Sequence, residues 1–245
     1  VKPLHIPMEN IVSIKSLSKA FGSHRVLKNI DLDVKKGEFI TIFGPNGAGK
    51  TTLMKIMSTL VEPSGGSIVI DGFDVKDDPV EIRKRIGSIS HETYLYSELT
   101  AEENLRFFGR MYGMDKNHLD ARVDELIEQV GLEYRSNDRV GTFSRGMKQR
   151  LSIARALIHE PSILFLDEPY TGLDQHAAST FENVLRGLDA QNTPKIMISH
   201  NMDRSLKMCD RVLILNNGKI VFDELRHDVG SVDDFKTTYE SFVHE

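Results

Sequence analysis

Gly44-Pro45-Asn46-Gly47-Ala48-Gly49-Lys50-Thr51-Thr52 decides how the rest of the chain is read. The stretch follows the phosphate-loop pattern: Gly, four residues, Gly-Lys, then Ser or Thr. Its glycines let the backbone wrap a phosphate closely. Successive N–H groups in such a nest, with the N-terminus of the following helix, form an anion site before any ligand arrives. Lys50 is expected to reach the β- and γ-phosphates, and the Thr51 hydroxyl to ligate Mg²⁺. The flanks agree. Residues 38–43 read as a buried strand entering the loop, and residues 53–57 as a helix leaving it. All nine residues, Gly44 through Thr52, are therefore candidate nucleotide contacts.

Composition bounds the function. A chain of 245 residues suits one large domain, with room for a subdomain. A net charge of −5 gives no electrostatic case for a nucleic-acid partner. Cys209 is the only cysteine, so no internal disulfide forms and a reducing compartment is expected. No apolar run approaches the ~20 residues that cross a bilayer, and no secretory leader is visible. These features predict a soluble, cytoplasmic protein, even where its work is at a membrane.

In chain order, residues 11–17 and 25–34 read as strands joined by a turn at 18–23, an antiparallel layer ahead of the phosphate loop. Residues 67–70 and 86–90 read as further strands, with a short helix over 79–85 opened by Pro79. From about 91 to 150 the pattern turns helical. Thr100 and Glu103 make a capping box. Val123, Leu126, Ile127 and Val130 form an apolar stripe ended by Gly131. Ser144 caps a third helix that Pro161 stops. Strands at 162–166, 195–199, 211–215 and 220–222 follow, with a helix over 174–190, a short one near 202–208 and a hairpin turn at 216–219. The tail from Asp223 is polar and weakly patterned. The expected fold is α/β: a P-loop NTPase core with an antiparallel β layer and an inserted helical subdomain over 91–150. The domain is expected to span 9–225, with 226–245 a short C-terminal extension.

Four further positions carry chemistry. Asp167 and Glu168 end a hydrophobic strand, where Asp167 can meet Mg²⁺ and Glu168 can take a proton from the attacking water. His200 ends another, and parallel strands deliver their C-terminal ends to one ligand-binding edge. Phe21, in the turn before the second strand, is a candidate to stack on adenine or simply to pack. Ser144-Arg145-Gly146-Met147-Lys148-Gln149-Arg150 adds a capped helix start with a permissive glycine.

With that last stretch the chain resembles the nucleotide-binding domain of ABC (ATP-binding cassette) proteins, over roughly residues 9–225. Thr171-Gly172-Leu173-Asp174 resembles the family's D-loop, His200 its switch histidine and Phe21 its adenine-stacking aromatic. Residues 99–108, with the Ser-Arg-Gly-Met signature, are similar to prokaryotic export-type cassettes of haem-exporter-like and drug- or polysaccharide-exporter-like groups. The resemblance implies a head-to-tail dimer with two ATP molecules between the subunits. Ser144 and Gly146 would then serve the partner's γ-phosphate and Asp174 would lie at the nucleotide. Separate transmembrane permease subunits would dock near the helical subdomain, on the cytoplasmic face of the membrane.

Two departures stand out. The usual signature is Leu-Ser-Gly-Gly-Gln, against Phe143-Ser144-Arg145-Gly146-Met147 here, which puts a positive charge beside the phosphate-facing pair. The Q-loop position holds His91 instead of glutamine. A neutral imidazole still suits contact with a Mg²⁺-bound water, whereas a protonated one repels the ion. Two alternatives compete with a transporter ATPase. A mechanical clamp of the repair or chromosome type needs a long coiled-coil insertion, and the interval from Thr51 to Ser144 is too short for one. A regulatory, poorly hydrolysing subunit is disfavoured by the presence of both Glu168 and His200.

Overall fold

The structure, a computed structural model, describes residues 10–90, 92–188 and 192–243. β1 (Asn10–Phe21) and β2 (His24–Lys35) form a long bulged antiparallel hairpin. β3 (Phe39–Phe43) then enters a second sheet, and α1 (Lys50–Met57) leaves the loop after it. β4 (Gly65–Ile70) and β5 (Phe73–Asp74) return to the first, giving a four-stranded sheet in the order β2-β1-β4-β5. The expected turn over 18–23 is much shorter. Phe21 pairs with His24, so only Gly22-Ser23 turns, and residues 18–21 continue the strand. Gly22, with φ 58°, supplies the torsion that so tight a reversal needs.

α2 (Pro79–Arg83) has its proline in the first turn, where the missing N–H costs nothing. β6 (Ile86–Ser90) leads to the helices α3 (Ala101–Met111), α4 (Lys116–Gln129) and α5 (Arg145–Leu157). Both halves of the Thr100–Glu103 capping box are made. Arg106 is clamped between Glu102 and Asp120, joining α3 to α4. Val123, Leu126, Ile127 and Val130 are all buried, as their spacing requires.

β7 (Ile163–Asp167), α6 (Gln175–Gly187), β8 (Lys195–Ile198), α7 (Met202–Ser205), β9 (Arg211–Asn216) and β10 (Lys219–Leu225) complete a six-stranded sheet in the order β10-β9-β3-β8-β7-β6. Every residue of β3 and β8 is buried, as befits parallel strands covered on both faces. Phe39 and Phe43 point into the helical core, Ile40 and Ile42 into the core shared with the antiparallel sheet. The β9–β10 turn has Asn217 at φ 48° and Gly218 at φ 78°, the torsions of a type I′ hairpin.

The tail departs from its expectation. β10 runs to Leu225, and α8 (Val232–Val243) packs back on the sheet. Ser231 and Asp234 exchange hydrogen bonds at its start: Ser231 N–H donates to Asp234 Oδ2 at 2.8 Å, and Asp234 N–H to Ser231 Oγ at 3.2 Å. Phe235 is fully buried, its ring 5.1 Å from that of Phe43 and 6.3 Å from that of Phe222. Burying such a ring contributes about 1.5–3 kcal/mol, enough to hold a short helix in place. The helix therefore backs Phe43, the residue immediately before the phosphate loop.

Candidate nucleotide site

Parallel pairing sets the site. Ile42 of β3 and Asp167 of β7 both register on Ile198 of β8, so three strands release their chains at one edge. There a cavity of about 360 Å³ is lined by Asn46 to Thr52, Asp167, Glu168, Ile198 and His200, with His24 and Val26 as a side wall.

The loop's shape is forced at two glycines. A β-carbon on Gly44 (φ 153°) would lie 2.1 Å from Leu215 O, and one on Gly49 (φ 107°) 2.7 Å from Leu27 Cδ2. The β9–β10 turn holds the loop from behind: Gly218 N–H donates to Ala48 O at 3.1 Å, and Gly218 O accepts from Lys28 N–H at 2.8 Å. Lys50 is only 6% exposed, and its Nζ donates to Gly44 O at 2.6 Å and Pro45 O at 3.0 Å. Burial pulls its pKa down, against the opposing charges of Glu168 and Asp167. α1 starts at Gly49 with no side-chain cap and no acid in its first turn, leaving its N-terminal donors for an anion.

Glu168 has φ 51°, a torsion uncommon for a non-glycine residue. Its N–H is fixed to Ile198 O at 2.9 Å, and its Oε2 accepts from His200 N–H at 3.2 Å. His200 Nε2 lies 3.3 Å from Oε1. Burial holds the Glu168 carboxyl above the ordinary carboxylate range, partly offset by His200. A carboxyl with raised proton affinity, held at the open end of a phosphate cradle, is suited to receive a proton from water.

The other expected residues are distributed unevenly. Gly44 and Pro45 sit behind the cavity and orient Lys50 through their carbonyls. Phe21 lies at the hairpin tip, 51% exposed, with Lys19 Nζ 4.7 Å from its ring centre. Ser144 and Gly146 lie at the start of α5, outside the cavity wall. Ser144 Oγ accepts from Met147 N–H at 3.3 Å. Asp174 Oδ1 caps α6 through Ala177 N–H at 2.8 Å. His91 lies outside the described residues. His24, Val26 and Ile198 were not expected in the wall. The one-residue alternation of β2 after the Phe21 turn puts His24 and Val26 on one face, and this was the available signal.

A family model described as "ABC transporter" matches residues 27–171. The chain is 40% identical over 199 residues to the "ABC transporter ATP-binding protein NatA" of Bacillus subtilis (strain 168), covering 81% of each protein. It is 33% identical over 225 residues to the "Doxorubicin resistance ATP-binding protein DrrA" of Mycobacterium tuberculosis (strain ATCC 25618 / H37Rv), covering 89% of this chain and 68% of that protein. Among solved structures, an ATP-binding subunit of an ABC transporter superposes with TM-score 0.86 at 30% identity, covering 94% of this chain and 99% of that one. The dimeric post-hydrolysis state of the ATP-binding cassette MJ0796, bound to ADP and Pi, superposes with TM-score 0.78 at 28% identity, covering 88% and 98%.

Proposed function

The chain belongs to the ABC transporter family as a subunit that binds and hydrolyses ATP to power transport through separate membrane subunits, and from that premise we propose how its residues divide the work. Gly44 to Thr52 cradle the β- and γ-phosphates, with Lys50 as the fixed cation, and Phe21 stacks on the adenine. Thr51 and Asp167 bring hard oxygen donors to one cavity, a set that fits Mg²⁺. Among the described residues no group of three or more His, Cys, Asp or Glu is gathered to hold a metal unaided, so phosphate oxygens would have to complete the set. When bound, the ion would neutralise charge on the phosphates. Glu168 accepts the proton of the attacking water, and His200 orients that water or donates to the γ-phosphate.

Ser144 and Gly146 contact the γ-phosphate bound by a second ABC subunit, and Asp174 lies at that interface. ATP bridging the two closes the dimer, and hydrolysis opens it. The helical segment 91–150 docks the permease subunits on the cytoplasmic face of the membrane. Among the described residues no helix is long and apolar enough to cross a bilayer, which fits a peripheral subunit. Relatives named for doxorubicin resistance and Nod factor export favour export as the direction.

The observation that carries this reading is the convergence of the phosphate loop, Asp167, Glu168 and His200 on one cavity. It is tested by measuring ATP turnover and ATP-dependent dimerisation of the wild-type chain and Glu168→Gln together. Turnover by the wild type with an ATP-trapped dimer of the variant is the expected result. A wild type that binds ATP and neither hydrolyses it nor dimerises overturns it for a single chain.

A further inference from the structure

Arg145 stands where the family's signature usually has glycine, and its side chain lies across the chain's own D-loop turn. A β-carbon on Gly172 would sit 2.2 Å from Arg145 Cζ and 2.4 Å from both Nε and Nη2. The guanidinium therefore fills the space that any side chain at 172 would need. Gly172 itself has φ 78°, a torsion that admits glycine and strains other residues. One residue along, a β-carbon on Gly146 would touch Ala177 Cβ at 3.8 Å and Asp174 Oδ2 at 4.0 Å. The start of α5 thus meets the D-loop turn at 145 and faces the start of α6 at 146.

The turn beneath Arg145 leads directly to Glu168. Thr171 N–H donates to Glu168 O at 3.1 Å, and Leu173 N–H to Tyr170 O at 3.2 Å, so residues 168–173 form one hydrogen-bonded unit. At its start Glu168 is held in the left-handed region, a conformation that persists only while the surrounding turn enforces it. A planar group lying on Gly172 restricts that turn at the end remote from the sheet. Arg145 is exposed, so its substitution need not disturb the core.

We propose that Arg145 is a positioning residue: by seating on Gly172 it fixes the turn that orients Glu168, and it makes the signature helix and that turn move together. The proposal rests on the dimer reading above. There Ser144 and Gly146 face the partner's nucleotide while Glu168 faces the chain's own. Arg145 then mechanically links the two sites, and closure at one sets the base at the other. The role requires a flat group over the turn, so the proposal distinguishes arginine from lysine at equal charge.

The test is a double-mutant cycle on the full chain, Arg145→Gly and Gly172→Ala, read by steady-state ATP hydrolysis. Arg145→Gly is expected to lower kcat about tenfold, with KM within about twofold and with the Hill coefficient for ATP falling towards one. Arg145→Lys is expected to behave like Arg145→Gly. Gly172→Ala should cost several times less in the Arg145→Gly background than in the wild type, because the side chain it displaces is already gone. A merely structural role would move thermal stability and leave the Hill coefficient in place. Additive effects in the cycle, or an Arg145→Lys chain with wild-type kcat and cooperativity, overturn the proposal. Carrying Arg145→Gly on Glu168→Gln separates it from its premise. A Glu168→Gln chain that forms no ATP-dependent dimer overturns the dimer reading and the proposal together, whereas a normal dimer with an additive cycle overturns the proposal alone.

Discussion

The phosphate loop and the start of α5, the two places at which the proposed function puts phosphate, are finished to different degrees. At the loop everything is internal. Lys50 is buried on two carbonyls, the glycines are pressed against Leu215 and Leu27, and Phe43 behind them is packed by Phe235. At α5, Ser144 is exposed with its oxygen accepting from Met147 N–H, which leaves its O–H free to donate. Gly146 is half-buried, and a β-carbon there would meet Ala177 at 3.8 Å and Asp174 at 4.0 Å. One region is a complete receptor. On the proposed reading the other is half of one, which a second chain would complete. The first would then be fixed by folding and the second by assembly.

The largest effect that would break this contrast is chemical. Glu168→Gln should lower kcat by about a hundred- to ten-thousandfold while the isolated chain still binds ATP, because only the proton acceptor is lost. Equal loss of nucleotide affinity, read by equilibrium binding, would mean that Glu168 belongs to the cradle itself.

Phe235→Ala probes the support behind the cradle. It should cost about 3–5 kcal/mol in denaturant unfolding, as an aromatic deletion in a closed core does, and weaken ATP binding through Phe43. If stability falls and affinity does not, the loop is independent of α8.

The α5 side is anchored at its far end by a neutral imidazole. His159 stacks on Tyr112 with ring centres 3.7 Å apart, and its Nε2–H donates to Ile86 O at 3.1 Å. Burial, with help from the Arg155 charge, takes its pKa from 6.5 to about 4, against the opposing pull of the Ile86 bond. The unfolded chain therefore protonates first. This contribution is complete above pH 6.5 and is lost as pH falls towards about 4, by up to about 3 kcal/mol. His159→Phe should flatten the stability–pH profile across that window. An unchanged slope in urea titrations would place the acid sensitivity elsewhere.

The smallest effect sharpens the contrast most. Ser144→Ala should lower turnover about tenfold, the scale of one hydrogen bond to a charged group, and leave ATP binding by the single chain untouched. Weaker binding in the monomer would show that α5 already faces its own nucleotide.

Which parts were legible follows the same division. The phosphate loop, the Asp167-Glu168 pair and the Thr100 box could be read because each is a local pattern whose chemistry is set within a few residues. The strands that gather them could be inferred from short hydrophobic runs, whereas their order in the sheet comes only from the structure. α8 was missed because its apolar members, Phe235, Tyr239 and Phe242, are spread among polar neighbours, although Ser231 and Asp234 mark its start. The seat of Arg145 on Gly172 was illegible, since it joins positions far apart in sequence through empty space above a glycine. His24 and Val26 were missed because their part in the site depends on β2 lying against the phosphate loop, a tertiary contact that no local pattern encodes.

The Asn217-Gly218 turn has a practical consequence for anyone building on this chain. By its look in the sequence it is surface punctuation, a natural place for an epitope or a reporter. Its Gly218 is nevertheless wired to Ala48 and Lys28, and a β-carbon there would strike Val26 O at 2.3 Å. Gly113, between α3 and α4, has nothing within 4 Å of the same position. Cargo spliced at 113 should leave ATP binding by the single chain unchanged, whereas cargo at 217–218 should cost the chain its grip on ATP before it costs the fold.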